Sequence, residues 1–297
     1  MSSKRIHYTA DVDALYTEEL ETADDFLERM RQKNIKSYAV KIFRSGQWAE
    51  IKIFPEWKKR SFIPHKCNTS DEKKAAQNKK DALRKLTRLL NHNFECYRDW
   101  FCTFTCDNNH LCRDKDECYK QINRAMNRIR YRFKKAGKPL VAVYKVEIKK
   151  ARDRKGFYIK DSDGTQLLRG HLHIVFKAGV DIRTVNECWQ MGNQKKSEVL
   201  RYYDEGFARL AAYFIKDTDS GRRRWNCTTN LKAPPPPKVL YSSKAGRKSK
   251  VRELAVNENL HKEYFENILQ GYRFVDSEAK TNEYNNGVYL YARMARR

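Results

Sequence analysis

Leu168-Arg169-Gly170-His171-Leu172-His173-Ile174-Val175-Phe176 sets two histidines two residues apart inside a run of strand-forming apolar residues. Side chains at i and i+2 of a strand share a face, so both imidazoles point one way while Leu172, Ile174 and Phe176 point the other. The segment therefore predicts a strand over 167–177 carrying a two-point metal grip. An imidazole pair favours a transition metal, and Zn, Mn and Fe all fit, as does Mg held with a carboxylate partner. Taken alone, the pair reads equally well as two exposed strand histidines.

Working outward, Leu140 to Ile148 is the strongest strand signal in the chain, with Val141, Val143, Lys145 and Glu147 on one face. Between it and the histidines, Asp161-Ser162-Asp163-Gly164 is a turn signal that folds 140–148 and 167–177 into an antiparallel hairpin. With a nearly symmetric loop, Glu147 lies level with Gly170 to His173. It is the candidate third metal ligand, with Asp107 and Asp153 as alternatives. Trp100 to Thr105 alternates apolar and hydroxyl side chains, which predicts another strand. Gly206 to Lys216 reads as a helix over 204–217 with Phe207, Leu210, Ala211 and Phe214 as its apolar stripe. Tyr213 and Lys216, at i and i+3, are then neighbours on one helical surface.

This order, a Thr-x-Thr strand, a His-x-His strand and a Tyr-x-x-Lys helix, resembles the three ordered motifs of the HUH endonuclease superfamily. The likeness is to its rolling-circle replication initiators, in the single-tyrosine form found in small single-stranded DNA phages and related plasmids and prophages. It covers roughly residues 96–235, including the stretch Arg224 to Pro234 after the tyrosine helix. Phe104-Thr105 stands for the first motif, His171 and His173 for the metal motif, and Tyr213 with Lys216 for the nucleophile motif. The resemblance implies a nuclease that cuts one DNA strand at an origin hairpin or single-stranded site. Tyr213 would stay joined to the 5′ end and leave a 3′ hydroxyl for a polymerase to extend.

The same residues support that chemistry on physical grounds. A phenol with a pKa near 10 is a poor nucleophile at neutral pH. A divalent cation, Mg²⁺ or Mn²⁺, held by His171, His173 and Glu147 would polarise a phosphoryl oxygen and spread the charge that develops on it. Lys216 would lower the phenol pKa or hold a phosphate oxygen. Asp71 to Asn91 reads as a basic amphipathic helix, and Ala245 to Lys250 as a basic loop that makes no Walker A motif, so duplex unwinding falls to a host helicase.

Composition points the same way. The chain of 297 residues carries 62 Lys+Arg against 37 Asp+Glu, a formal net charge of +25 that favours polyanionic partners such as single-stranded DNA. Its 17 Tyr, 14 Phe and 5 Trp supply stacking platforms as well as core. The 8 cysteines follow no paired Cys-x2-Cys spacing and read as free thiols of a reducing cytoplasm, with Cys106, His110 and Cys112 a weak zinc alternative. Neither a signal peptide nor a membrane-spanning run is visible.

The expected architecture is α+β: a central antiparallel sheet with helices on one face over 96–233. A basic α/β extension precedes it over 1–95, containing an acidic arm at Glu18 to Glu28 and a β-hairpin about Ser45-Gly46. A polyproline connector and C-terminal extension follow over 234–297, with a helix at 257–270 and a strand at 286–294. A transposase or plasmid-mobilising relaxase of the same superfamily is an alternative reading. A non-catalytic single-stranded DNA- or RNA-binding protein is another, and an iron oxygenase using two histidines and a carboxylate a third. The joint presence of Tyr213, His171 and His173 separates the nuclease from a binding protein, and the charge with Tyr-x-x-Lys separates it from an oxygenase.

Overall fold

A computed structural model describes residues 35–57, 71–216 except 202 and 204, 225–282 except 242, and 287–297. The acidic stretch 18–28, Cys67 and Tyr202 lie outside the described residues. The fold is α+β, built on two antiparallel five-stranded sheets. No helix among the described residues is long and apolar enough to cross a membrane.

The first sheet contains β1 (Ile35–Ser45), β2 (Trp48–Trp57), β8 (Lys238–Leu240), β9 (Tyr272–Asn282) and β10 (Gly287–Arg296), in the spatial order β8-β1-β2-β10-β9. It draws on both flanks of the chain: β10 lies against β2, with Trp48 opposite Ala295. The polyproline stretch leads directly into β8, which borders β1. One face of this sheet buries Tyr38, Val40, Ile51, Ile53, Leu290 and Met294 against α5 (Lys248–Val256) and α6 (His261–Ile268).

The second sheet contains β3 (Trp100–Thr105), β4 (Ala142–Lys150), β5 (Leu168–Phe176), β6 (Gln194–Val199) and β7 (Asn226–Cys227), ordered β6-β3-β5-β4-β7. Its even-numbered side chains, Cys102, Phe104, Leu172, Ile174 and Phe176 among them, pack with Ile122, Met126, Ile129 and Phe133 of α2 (Lys115–Lys135). Val185 of the short helix α3 (Ile182–Glu187) joins this core. Gly170 explains how close α2 comes: a Cβ there would stand 3.0 Å from the Ile122 Cδ1 atom.

Helical cover, expected from the sequence on one face alone, lies on both faces of this sheet. Val143 and Val175, on the opposite face, pack with Leu86, Leu90 and Phe94 and with Phe207, Ala211, Phe214 and Ile215. The first group belongs to or directly follows α1 (Asp71–Asn93), and the second to or directly precedes and ends α4 (Ala208–Ile215). Helix α1 thus turns its apolar side to the second sheet while Arg84 and Arg88 reach rings of the first. These two helices cover only part of that face. The remainder carries the histidines.

Candidate nuclease site

Strand parity and register assemble the site. In one cross-strand row Thr103 faces His173, which faces Lys145; in the next, Thr105 faces His171, which faces Glu147; beyond it Lys149 faces Arg169. All of these share one face of the sheet, with His173 and Lys145 buried at the end of α4. The nearly symmetric hairpin that brings Glu147 level with His171 is closed by the expected turn, where Asp161 Oδ1 accepts from the backbone N–H groups of Asp163 and Thr165.

Each histidine is fixed by a threonine of the neighbouring strand. Thr105 Oγ1 lies 2.9 Å from His171 Nδ1, and Thr103 Oγ1 lies 3.1 Å from His173 Nδ1. At His171, Nδ1 donation to the hydroxyl oxygen leaves the Nε2 lone pair for a cation, the tautomer a metal ligand needs; at His173, Nε2 faces a carboxylate and donates to it. His173 Nε2 lies 3.4 Å from Glu147 Oε2. The two rings stand nearly parallel, with centroids 6.4 Å apart.

Electrostatics keep the donors in ligating form. Burial pushes His171 down to about 4, so its imidazole is neutral at physiological pH. The hydrogen bond from His173 holds Glu147 down to about 2 against the opposing effect of burial, and Lys149, 3.1 Å away, helps. A neutral His171 imidazole beside the ionised Glu147 carboxylate is donor chemistry suited to a divalent cation. Among the described residues no three His, Cys, Asp or Glu side chains converge tightly enough to close on one ion. A shared cation therefore requires side-chain rotation to bring the parallel imidazoles together.

Tyr213 reaches the site from α4. Its hydroxyl lies 3.2 Å from His173 Nδ1 and 3.3 Å from Nε2, and the rings meet edge-on with centroids 5.0 Å apart. Near-equal distances to both nitrogens fit contact across the ring edge or face better than one directed hydrogen bond. Burial raises the phenol pKa, and the Glu147 carboxylate raises it further. Without added positive charge the hydroxyl is a worse nucleophile than a free phenol.

Helix α4 is shorter than the sequence indicated. Before it the Gly206 N–H donates to the Tyr203 carbonyl, and Gly206 itself adopts φ +66°. A Cβ on Gly206 would lie 2.8 Å from Asn91 Oδ1 and 2.9 Å from Trp48 Cε2. Asn91 Oδ1 accepts from the buried Phe207 N–H and fixes where the helix starts. At the other end Lys216 is the C-cap in extended conformation, and its carbonyl accepts from the buried Lys145 Nζ. Lys216 is thus beyond the helix that would have made it an i+3 surface neighbour of Tyr213. Lys145 is the lysine built into the site.

The alternative third ligands are used elsewhere. Asp107 accepts from the Asn109 N–H and pairs with His110 at 2.6 Å, while Asp153 accepts from the N–H groups of Lys155 and Phe157. Cys102, Cys106, Cys112, Cys118 and Cys188 are free and buried. Lys145, Thr103, Lys149 and Arg169 were missed as site residues, although each has the strand parity of Glu147 or the histidines. Comparison with protein-family models, with curated proteins and with solved structures finds no match to this chain.

Proposed function

We propose that this protein is a metal-dependent DNA nicking and joining enzyme with a single catalytic tyrosine, acting as an initiator of rolling-circle replication. The observation that carries this reading is the meeting of the Tyr213 hydroxyl with the His171–His173–Glu147 face, three strands and one helix contributing to one small surface. Binding a nucleic acid requires no such meeting of a phenol, two imidazoles and a carboxylate.

His171, His173 and Glu147 would hold a divalent cation, whose positive charge would stabilise a phosphoryl oxygen and offset the carboxylate that raises the Tyr213 pKa. Thr105 would hold His171 in the ligating tautomer, and Thr103 fixes the orientation of the His173 ring. Lys149 and Arg169, the next row of the sheet, flank the site with positive charge for the neighbouring backbone phosphates. Lys145 anchors the end of α4 and with it the reach of Tyr213.

In the reaction the Tyr213 oxygen bonds to phosphorus, the bond from phosphorus to the 3′ oxygen breaks, and the phenolic proton passes to solvent as the leaving 3′ oxygen gains one. The 5′-phosphotyrosine conserves the phosphodiester energy, so attack by a 3′ hydroxyl reverses the step and rejoins the strand. Labelled single-stranded DNA incubated with the protein and Mn²⁺ or Mg²⁺ should give a protein-linked fragment on denaturing electrophoresis. An adduct that survives in Tyr213→Phe, or metal-dependent cleavage by the His171→Ala/His173→Ala double variant, would overturn the assignment.

A further inference from the structure

The first sheet has a second face that its apolar core does not use. Across it Lys41 stands directly opposite Lys52, Lys52 opposite Tyr291, and Tyr289 opposite Lys280. Helix α1 adds Arg88, 3.6 Å from the centroid of Phe43, and Arg84, 4.5 Å from that of Tyr291. Lys41 and Lys52 also lie over Phe43, at 5.3 and 5.4 Å. Between helix and sheet opens a cleft of about 390 Å³, lined among others by Lys41, Phe43, Lys52, Arg84, Lys280 and Tyr291.

Folding alone gives little reason for this arrangement. Like charges directly opposite on a sheet are destabilising. Nearby carboxylates are outnumbered: Glu50 is engaged by Arg88 at 2.8 and 2.5 Å, and Glu278 by Lys280 at 2.6 Å and Lys80 at 3.7 Å. Lys52 shows the resulting tension, since burial and the charges of Arg84 and Arg88 bring it down to about 8. A bound polyanion would relieve that repulsion. Clustered cations beside aromatic rings are what a nucleic-acid backbone with unpaired bases requires, and rings among the lining suit the exposed bases of a single strand better than the stacked bases of a duplex.

We infer that the cleft between α1 and the charged face of the first sheet is a second binding site for single-stranded DNA. Lys41, Lys52 and Arg84 contact its phosphates, and Phe43 and Tyr291 contact its bases. The inference takes only its choice of polyanion from the nuclease reading. The cleft belongs to the other sheet from Tyr213, so it holds a part of the strand away from the cut, and a longer substrate gains affinity that a short one lacks.

The test uses the full chain and labelled oligothymidylates of two lengths, one just long enough to occupy the Tyr213 site and one several times longer. For the longer strand, Lys41→Gln/Lys52→Gln should lower affinity about tenfold, and should flatten the slope of log K against log salt by roughly 1.4, two phosphate contacts at roughly 0.7 each. Lys41→Gln alone should give half that slope change, and thermal unfolding should show both variants folded. Covalent adduct formation with the short strand should be unchanged. Wild-type affinity and slope in the double variant would overturn the inference. So would displacement of the longer strand by thymidine monophosphate at equal nucleotide concentration, the mark of a mononucleotide pocket. If no adduct forms with any substrate yet the double variant still loses affinity and slope, the nuclease reading fails and the cleft stands.

Discussion

Tyr213 is the residue on which the proposed chemistry turns, and the protein groups around it work against it: burial and the Glu147 carboxylate both disfavour the phenolate. Tyr213→Phe should abolish the covalent adduct while DNA affinity stays within about tenfold, because one hydroxyl contributes roughly a kcal/mol to binding; electrophoresis and anisotropy on the same preparation check both. Acid stability should report His171. Burial holds its folded pKa at about 4 against the ordinary 6.5, so as pH falls the unfolded chain takes up this proton first. Its contribution is complete above about pH 6.5 and is lost toward pH 4, on the order of 3 kcal/mol. Glu147, lowered from 4.5 to about 2, contributes above 4.5 and extends the loss below that value. Urea unfolding in EDTA at a series of pH values should therefore give a flatter profile between pH 6.5 and 4 for His171→Asn than for wild type; parallel profiles would count against the burial argument.

The strands β3, β4 and β5 were legible because their information is local: parity puts Thr103, Thr105, His171, His173, Lys145 and Glu147 on one face whatever surrounds them. Strand β6 was not, since Gln194 to Val199 is polar and charged, as an edge strand tolerates, and shows no apolar alternation. Helix α5 was hidden in a segment whose lysines read as a loop, and its apolar residues Val251 and Leu254 are too few to reveal a period. The ends of α4 depend on distant partners, Asn91 at the start and Lys145 beyond the last turn, which no window around Tyr213 contains. Asn91→Ala leaves the buried Phe207 N–H without its acceptor and should cost about 1–3 kcal/mol. Because it also frees the start of the tyrosine helix, adduct formation should fall more than stability predicts; a variant that melts earlier but cuts at the wild-type rate when folded would separate the two effects.

Taking the two sheets together, all five strands of the second lie within residues 96–233, whereas the first joins strands from both sides of that segment. Pairing of β2 with β10 depends on matching two distant segments, and nothing in either hairpin alone announces it. Basic side chains lie both beside the Tyr213 site, at Lys149 and Arg169, and along the cleft beside α1, at Lys41, Lys52 and Arg84. Affinity for unrelated single-stranded DNA should therefore fall steeply with salt, by roughly 0.7 in log–log slope for each phosphate neutralised, whereas cleavage should depend on site sequence because one phosphate must fit between Tyr213 and the bound cation. Isotherms at several salt concentrations beside cleavage of a randomised pool would test this: flat salt dependence contradicts the electrostatic account, and cleavage without positional preference marks a general nuclease.

The insertion of β10 between β2 and β9 also bears on how the protein is made. During synthesis the β1–β2 hairpin emerges early with the backbone edge of β2 unpaired, and the strand that covers it emerges after the second sheet and all of its helices. Until then the nascent chain exposes an apolar edge of the kind that joins other chains. A ribosome stalled before β10 would therefore release a product whose second sheet has all its strands and whose first is adhesive, making interrupted translation a direct route to aggregation.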